Sequence, residues 1–462
     1  MIRLFKHYVP HAALLLGLVD FLLLMVAAEL GWVLRAYQIG YPAGSFFERL
    51  PQVLSFAIPL QISLLAVGAY AAASFLSLRF AAARLMVAIS LGVIFLSLIF
   101  FFFPNLSYWR SSLFFSMVIA VVLLVVVRGL LGRFLGGDRF KRRIVLMGAG
   151  ERAAQIAALA DRPGSNFVVA GAIAMSGEET AIPGAVPRSA IPSLSGFVLE
   201  REAGEVVLAL QERRGSLPYQ DLLRVRTTGV HVSEISSFLE QQTGRIDLAS
   251  VSHSWLIFSE GFASGRMWSA MAKRAFDISV SLILLVVAVP VIVATALLIR
   301  LESRGPAFYR QRRVGLFNQP FDIPKLRSMR QDAEVAGQAV WAEKDDPRIT
   351  RVGRFIRKVR IDELPQIWSV LTGEMSFVGP RPERPQFVEQ LERQIPFYAE
   401  RHMVKPGITG WAQLNYPYGA SIEDARHKLE YDLYYAKNYS PFLDALILLQ
   451  TLRVILWPSG AR

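Results

Sequence analysis

Four apolar stretches, roughly residues 12–34, 53–76, 85–103 and 113–127, fill the first quarter of the chain, and each is about long enough to cross a bilayer. Lipid offers no water to a free backbone N–H or C=O, so a spanning segment must satisfy its own hydrogen bonds. Unbroken apolar runs of this length read as helices, and residues 1–135 as a four-helix transmembrane domain. Arg3, Lys6, Arg79, Arg84, Arg128, Arg133, Arg139, Lys141, Arg142 and Arg143 flank one side of these runs, against Arg35, Arg49 and Arg110 on the other. The positive-inside bias places both ends of the bundle in the cytoplasm. Glu29 falls inside the first span, where a carboxylate marks either a transport path or a side chain snorkelling to the interface.

Hydrophobic residues make up 53% of the 462, more than a soluble enzyme needs, and the length allows two or three domains. A net charge of +13 suits phosphorylated substrates, anionic lipid or nucleic acid; membrane segments make nucleic acid the poorest fit of the three. The absence of cysteine excludes disulfides, thiolate nucleophiles and zinc–thiolate sites. Of six histidines only His7 and His11 share a helical face, beside the first span, where an interfacial role is a plainer reading than metal binding. The first apolar run is too long for a cleavable signal and has no small-residue cleavage site.

Beyond a basic linker, RRIVLMGAGERAAQIAALA reads as a strand, a Gly148-Ala149-Gly150 turn and an Ala-rich helix, with further strands expected at 167–174 and 205–210. Residues 141–264 thus open as a Rossmann-like α/β domain. As a dinucleotide site it is weak, because the second strand ends in Ala174-Met175-Ser176, without the acid that would hold a ribose; Glu178 and Glu179 come late, in a Gly/Pro-rich loop. A structural or regulatory domain is the better reading.

Residues 276–301 form a fifth apolar segment with Pro290 in its middle. Arg266, Lys273 and Arg274 precede it, and Arg300, Arg304, Arg310, Arg312 and Arg313 follow, so both sides carry the cytoplasmic signature. A proline breaks a helix, and Ser279, Ser281 or Thr295 can satisfy the carbonyls it frees. A re-entrant helix–break–helix, dipping into the inner leaflet and returning, is expected; an ordinary kinked span is the alternative.

The chemistry concentrates in DDPRITRVGRFIRKVRIDELPQIWSVLTGEMSFVGPRPER, residues 345–384. Arg348, Arg351, Arg354, Arg357, Lys358 and Arg360 surround one acidic couple, Asp362 and Glu363. Apolar residues recur at helical spacing before the couple (Val352, Phe355, Ile356, Val359) and after it (Leu364, Ile367, Trp368, Leu371), which predicts two amphipathic helices meeting at the carboxylates. Pro365 belongs in a helix's first turn, so the couple sits at an amino end, where free N–H groups and the helix dipole favour anions. An isolated Asp-Glu is commonly a helix cap with surface ion pairs. Here Pro380 and Pro382 bracket Arg381 in a rigid loop that a simple cap has no use for. The last apolar stretch, interrupted by Asp444 and Arg453, reads either as a helix in the headgroup region anchored by Trp457 or as part of the globular core.

A basic, membrane-laid domain with one carboxylate couple and a fixed arginine suits a soluble anionic donor meeting an anionic lipid. Phosphoryl transfer needs positioning and charge neutralisation above all, and a carboxylate can itself be the nucleophile. Glu363 beside it suits magnesium, a hard cation.

At this point the chain resembles a known family. Residues from about 273 to 458 carry the proline-broken apolar run, PKLRSM, DDPRITRVGRFIRK, Asp-Glu-Leu-Pro-Gln, MSFVGPRPE and KPGITGWAQ, and together these resemble the bacterial sugar transferases, polyprenyl-phosphate hexose-1-phosphate transferases of the monotopic phosphoglycosyltransferase superfamily. The preceding spans and α/β domain resemble the family's long form by architecture. The resemblance implies an α-rich membrane protein with a monotopic α/β catalytic domain at 270–462. It implies ping-pong transfer in which Asp362 attacks the β-phosphate of a UDP-hexose, releasing UMP, and the phosphosugar passes to undecaprenyl phosphate. Glu363 matches the second member of the dyad, near Mg²⁺, and Asp362 and Glu363 are the expected metal ligands. Arg357 and Arg381 match phosphate- and nucleotide-contacting arginines, Pro380 and Pro382 complete a PRP motif, and Lys325 belongs to the motif before it. Membrane lipids and, by the long form's habit, a second copy are implied partners. Leu326 stands where the family often has Phe, and Trp368-Ser369 replaces a commoner polar pair, which bears on donor choice and leaves the dyad intact.

Two other classes remain open. A membrane-tethered nucleotide-sugar oxidoreductase or dehydratase would need a Tyr-x-x-x-Lys pair, and none lies within 141–264. A non-enzymatic scaffold or lipid transporter leaves the acid couple unexplained.

Overall fold

The computed structural model describes residues 2–4, 7–9, 11–42, 44–70, 78–135, 141–175, 180–210, 217–251, 267–330, 348–416, 419 and 421–456. Lys6, Arg139, Ser176, Glu178, Glu179, Ser264, Arg266, Asp345 and Trp457 lie outside the described residues. The chain divides into two compact units, one running to Thr243 and one from Gly244 onward.

In the first unit, helices α1 (His11–Gln38), α2 (Phe46–Ala66), α3 (Leu78–Phe102) and α4 (Arg110–Leu135) are the four apolar runs. Among the described residues, four segments within them and a fifth, Ser269–Glu302, are long and apolar enough to cross a membrane. Two ion pairs join helices inside this bundle. Arg128 of α4 donates to Asp20 of α1 at 2.6 Å and to the Ala69 carbonyl at 3.2 Å. Glu29 is bonded to Arg49 of α2, so the pair forms a helix–helix clasp.

The unit continues as a five-stranded parallel sheet: β1 (Arg142–Met147), β2 (Phe167–Ala174), β3 (Val186–Pro187), β4 (Glu205–Leu208) and β5 (His231–Glu234), in spatial order β3-β2-β1-β4-β5. Helices α5 (Glu151–Ala160), α6 (Leu194–Glu200), α7 (Tyr219–Thr227) and α8 (Ile235–Thr243) cover it. Alternate residues of β1 serve opposite faces, Ile144 and Leu146 packing with Phe238, Val145 and Met147 with Phe197. Two buried faces explain why the strand reads as a continuous apolar run.

The second unit starts with residues that pack against its own helices: Trp411 Nε1 donates to the Gly244 carbonyl at 2.8 Å, and Arg245 pairs with Glu430 at 3.0 Å. Helix α9 (Met267–Glu302) follows, then the antiparallel hairpin β6 (Phe308–Val314) and β7 (Pro320–Leu326). Next come α10 (Arg351–Lys358), α11 (Gln366–Thr372), β8 (Ser376–Val378), α12 (Pro385–Glu392), β9 (Gly407–Thr409), α13 (Trp411–Asn415), α14 (Ile422–Asn438) and α15 (Pro441–Leu456). Val370, Met375, Leu433, Tyr434, Tyr435, Leu443 and Ile447 form its core. Helix α15 therefore packs within the globular unit: Asp444, which looked like an interruption, is buried and accepts from Lys273 at 2.6 Å and Tyr435 at 2.7 Å.

Helix α9 differs from the expected helix–break–helix. It is one 36-residue helix that continues through Pro290. A proline removes one backbone hydrogen bond and tends to bend a helix, but the other residues of the turn keep their own bonds and the helix runs on. Its two ends are both fastened to this unit. At the start, Arg274 donates to the Val370 and Leu371 carbonyls at 2.8 and 2.7 Å, and Asp277 accepts from Ser376 Oγ and Phe377 N at 3.1 and 3.2 Å. At the finish, Glu302 accepts from the N–H groups of Arg351 and Val352, and Arg327 donates to the Ser303 and Arg304 carbonyls at 2.8 and 2.9 Å. Between these ends Leu282, Ile283, Val286, Val287, Val293 and Leu297 are exposed.

Candidate active site

The acid couple is placed by two helix ends and a left-handed residue. Thr350 caps α10, its hydroxyl accepting from Gly353 N at 2.9 Å, and Glu302 caps the next two N–H groups. The helix stops when Arg360 adopts φ 60°, which turns the chain into a 3₁₀ turn, Ile361–Glu363. Pro365 then caps α11. The two amphipathic helices do meet at Asp362 and Glu363, as the apolar spacing predicts.

Around Glu363 three cations converge: Arg381 Nη2 at 3.0 Å, Lys325 Nζ at 3.6 Å and Arg360 Nη1 at 3.7 Å. Lys325 arrives from β7, Arg381 from the loop after β8. Burial alone would push Glu363 up; Arg381, Lys325 and Arg360 more than offset it and hold the carboxyl down at about 2. Asp362 goes the other way. Burial and then the neighbouring Glu363 charge raise it above the usual carboxylate range, against the pull of Lys325, Arg360 and Arg357. Its Oδ1 is buried and has no hydrogen-bond partner. Burial also lowers Lys325, helped by Arg381, to about 8.

The loop holding Arg381 is fixed through its backbone. β8 runs parallel to β9, and Gly379 crosses Gly407 so closely that a Cβ on Gly379 would stand 2.2 Å from the Lys405 carbonyl oxygen and one on Gly407 2.0 Å from Gly379 N. Gly407 N donates to the Pro380 carbonyl at 3.0 Å. Arg401, buried and paired with Asp432 at 2.7 Å, donates to the Arg381 carbonyl at 2.9 Å, and Arg313 donates to the Pro382 carbonyl at 3.0 Å. Pro380 and Pro382 are buried, while the Arg381 side chain stays half-exposed.

Lys325, Asp362, Glu363 and Arg381 are thus brought together, and Arg357 reaches Asp362 through its charge. Pro290 stands apart, inside α9. The couple fits a magnesium ion: Asp362 Oδ1 is an unpartnered buried oxygen, and magnesium takes one or two carboxylates with substrate phosphate, so a cluster of three acids, of which there is none among the described residues, is not required.

Residues 268–458 match the profile described as bacterial sugar transferase. The chain is 40% identical over 195 residues to the UDP-glucose:undecaprenyl-phosphate glucose-1-phosphate transferase of Caulobacter vibrioides, covering 41% of this chain and 72% of that protein. The chain belongs to the bacterial sugar transferase family. Another bacterial sugar transferase relative, the UDP-N-acetylgalactosamine-undecaprenyl-phosphate N-acetylgalactosaminephosphotransferase of Aeromonas hydrophila, is 46% identical over 241 residues, 52% of this chain and 56% of that protein. The UDP-glucose:undecaprenyl-phosphate glucose-1-phosphate transferase of Escherichia coli is 42% identical over 185 residues, 39% of each chain. Against these two, the matched part spans about half or less of the relative's length.

Nothing in the sequence singles out Arg313, Arg401 or Lys273 as parts of this site. Each acts on a backbone carbonyl far along the chain: Arg313 on Pro382, Arg401 on Arg381, and Lys273 on Val378 at 3.0 Å. Their only signal was one more basic residue among many.

Proposed function

We propose that this chain transfers hexose-1-phosphate from a UDP-hexose to undecaprenyl phosphate, as the first membrane step of exopolysaccharide or O-antigen synthesis. The observation that carries the reading is Asp362 Oδ1, buried and unpartnered, beside a Glu363 whose charge is held by Lys325, Arg381 and Arg360. The Asp362 carboxylate attacks the β-phosphorus of the donor. The bond between that phosphorus and the oxygen bridging to the α-phosphate breaks, UMP leaves, and the phosphosugar is held as an aspartyl acyl phosphate. A phosphate oxygen of undecaprenyl phosphate then attacks the same phosphorus. The aspartyl bond breaks, giving undecaprenyl-diphosphate-hexose and the free carboxylate.

Lys325 and Arg381 neutralise the donor's phosphates and fix them in line with Asp362, and Arg357 adds charge from the helix side. Glu363 keeps these cations pointing at the site before substrate arrives. Asp362 and Glu363 would also hold magnesium, which when bound screens the phosphate charges against the attacking carboxylate.

The bonds at both ends of α9 support a re-entrant arrangement. A helix whose two ends are tied to one globular body returns that body to the membrane face it left, and its exposed apolar middle sits in the inner leaflet. Catalysis then takes place on the cytoplasmic face of the inner membrane, where UDP-sugars and the headgroup of the lipid acceptor meet.

The test is UMP release by purified protein in detergent with magnesium, undecaprenyl phosphate and a panel of UDP-sugars. UMP formed by the wild type and lost in Asp362→Asn supports the reading. Equal behaviour of the two proteins would reject it.

A further inference from the structure

The motif KPGITGWAQ takes no part in the reaction written above, yet its middle is pressed against the Arg381 loop. Gly379 N donates to the Thr409 carbonyl at 2.9 Å, and a Cβ on Gly410 would stand 2.3 Å from the Gly379 carbonyl oxygen. Main chain therefore lies on main chain just before Arg381, with no side chain between to absorb a shift. Whatever fixes residues 409–411 fixes that loop as well.

Trp411 ties this stretch down. It opens α13, is buried, and stacks on Tyr434 of α14 with ring centroids 6.1 Å apart. Its Nε1 donates to the carbonyl of Gly244, which lies ahead of residues 268–458, the part matched as a bacterial sugar transferase. Gly244 has φ 63°, and a Cβ on it would stand 3.5 Å from the indole, so the chain turns flat against the ring. The residues that follow are seated on α14: Ile246 N donates to the Glu430 carbonyl at 3.0 Å and Arg245 pairs with the Glu430 carboxylate at 3.0 Å. Ile246 and Leu248, 1% and 5% exposed, enter the same core as Trp411, Val378 and Leu433. A connection that merely runs over a surface does not bury its side chains in this way.

We infer that residues 244–248 are a strap belonging to the catalytic unit, and that Trp411 is a positioning residue through which this strap sets the Arg381 loop. The effect on turnover rests on the transfer reaction proposed above; the effect on the loop does not. The line of contact is short: Gly244 carbonyl, indole Nε1, the Thr409–Gly410 main chain, Gly379, Arg381. A group that neutralises phosphate has to be held to within about 0.5 Å, and the strap supplies that hold from outside the matched region.

The test uses the full chain in detergent with two variants. Trp411→Phe keeps a ring against Tyr434 and removes the donor, and Ile246→Ala trims the strap without touching the loop. Amide hydrogen exchange is read without substrate over residues 376–384, with α10 as the control. Exchange in 376–384 is expected to run about fivefold or more faster than in wild type, with α10 within about twofold. Next, kcat/KM for UMP release is measured with magnesium, undecaprenyl phosphate and the accepted UDP-sugar, for each variant alone and combined with Arg381→Ala. A fall of about fivefold is expected alone, and a change within about twofold beside Arg381→Ala, because the strap acts through that guanidinium. Unchanged exchange in both variants overturns the inference. So does an equal fall in kcat/KM with and without Arg381, which is a general loss of packing. If Ile246→Ala speeds exchange in α10 as well, Trp411→Phe decides alone. A wild type that releases no UMP rejects the transfer reaction, and the exchange measurement still decides the strap.

Discussion

Arg381 donates to Glu363 Oε1 at 3.0 Å, and that bond sets Glu363 apart from its neighbour Asp362. Glu363 is held ionised by three cations, while Asp362 keeps a buried oxygen with no partner. Incubating the wild type with the accepted UDP-sugar and no lipid acceptor is expected to add one phosphohexose to its intact mass. Asp362→Asn is expected to show no added mass and to lose at least about 10³-fold in UMP release. Glu363→Gln and Arg381→Ala are expected to lower kcat/KM about 10²-fold while the mass adduct still forms.

The pH profile follows from the two perturbed groups. In the proposed transfer Asp362 is ionised to attack, and it is raised, so the rising limb of kcat/KM is expected above the ordinary carboxylate range. In the same proposal Lys325 is charged to hold phosphate, and it is lowered to about 8, so this contribution is present below that pH and lost above it. A falling limb near 8 is the expected result, and Lys325→Arg is expected to move it upward, since a guanidinium keeps its proton across this range.

The buried pair Arg401–Asp432 predicts a stability effect distinct from a catalytic one. Arg401→Ala leaves a buried carboxylate unpaired and is expected to cost about 3–5 kcal/mol, read as a lowered melting midpoint in detergent. The double variant Arg401→Met/Asp432→Leu is expected to regain much of that stability. It is not expected to regain activity, because the Arg381 carbonyl has lost its donor.

Topology can be read without background, because the chain contains no cysteine. Ala270→Cys and Arg304→Cys lie at exposed positions near the two ends of α9. Both are expected to react with a membrane-impermeant maleimide in inside-out vesicles, and neither in right-side-out ones. Labelling at opposite faces would show that α9 crosses.

What could be read from the residues alone was what is local. The apolar runs, the helix pair around Asp362 and Glu363 and the two-sided strands announce themselves by spacing, because each needs only its own neighbours. Pro290 misled on the shape of α9, since a local rule about proline met a long apolar helix able to absorb it. Glu29 and Asp444 looked like intrusions into apolar segments because their partners, Arg49 and Lys273, lie 20 and 171 residues away in the chain. Arg401 and Arg313 were invisible for the same reason. They act on carbonyls, and a carbonyl leaves no trace in sequence.

Where the Gly379 and Gly407 backbones cross, there is no side chain to vary and no space to add one. Directed evolution of a new donor preference therefore has nothing to select at that crossing. A library aimed there would return mostly misfolded protein, and diversity has to be introduced at side chains that leave this main-chain crossing intact.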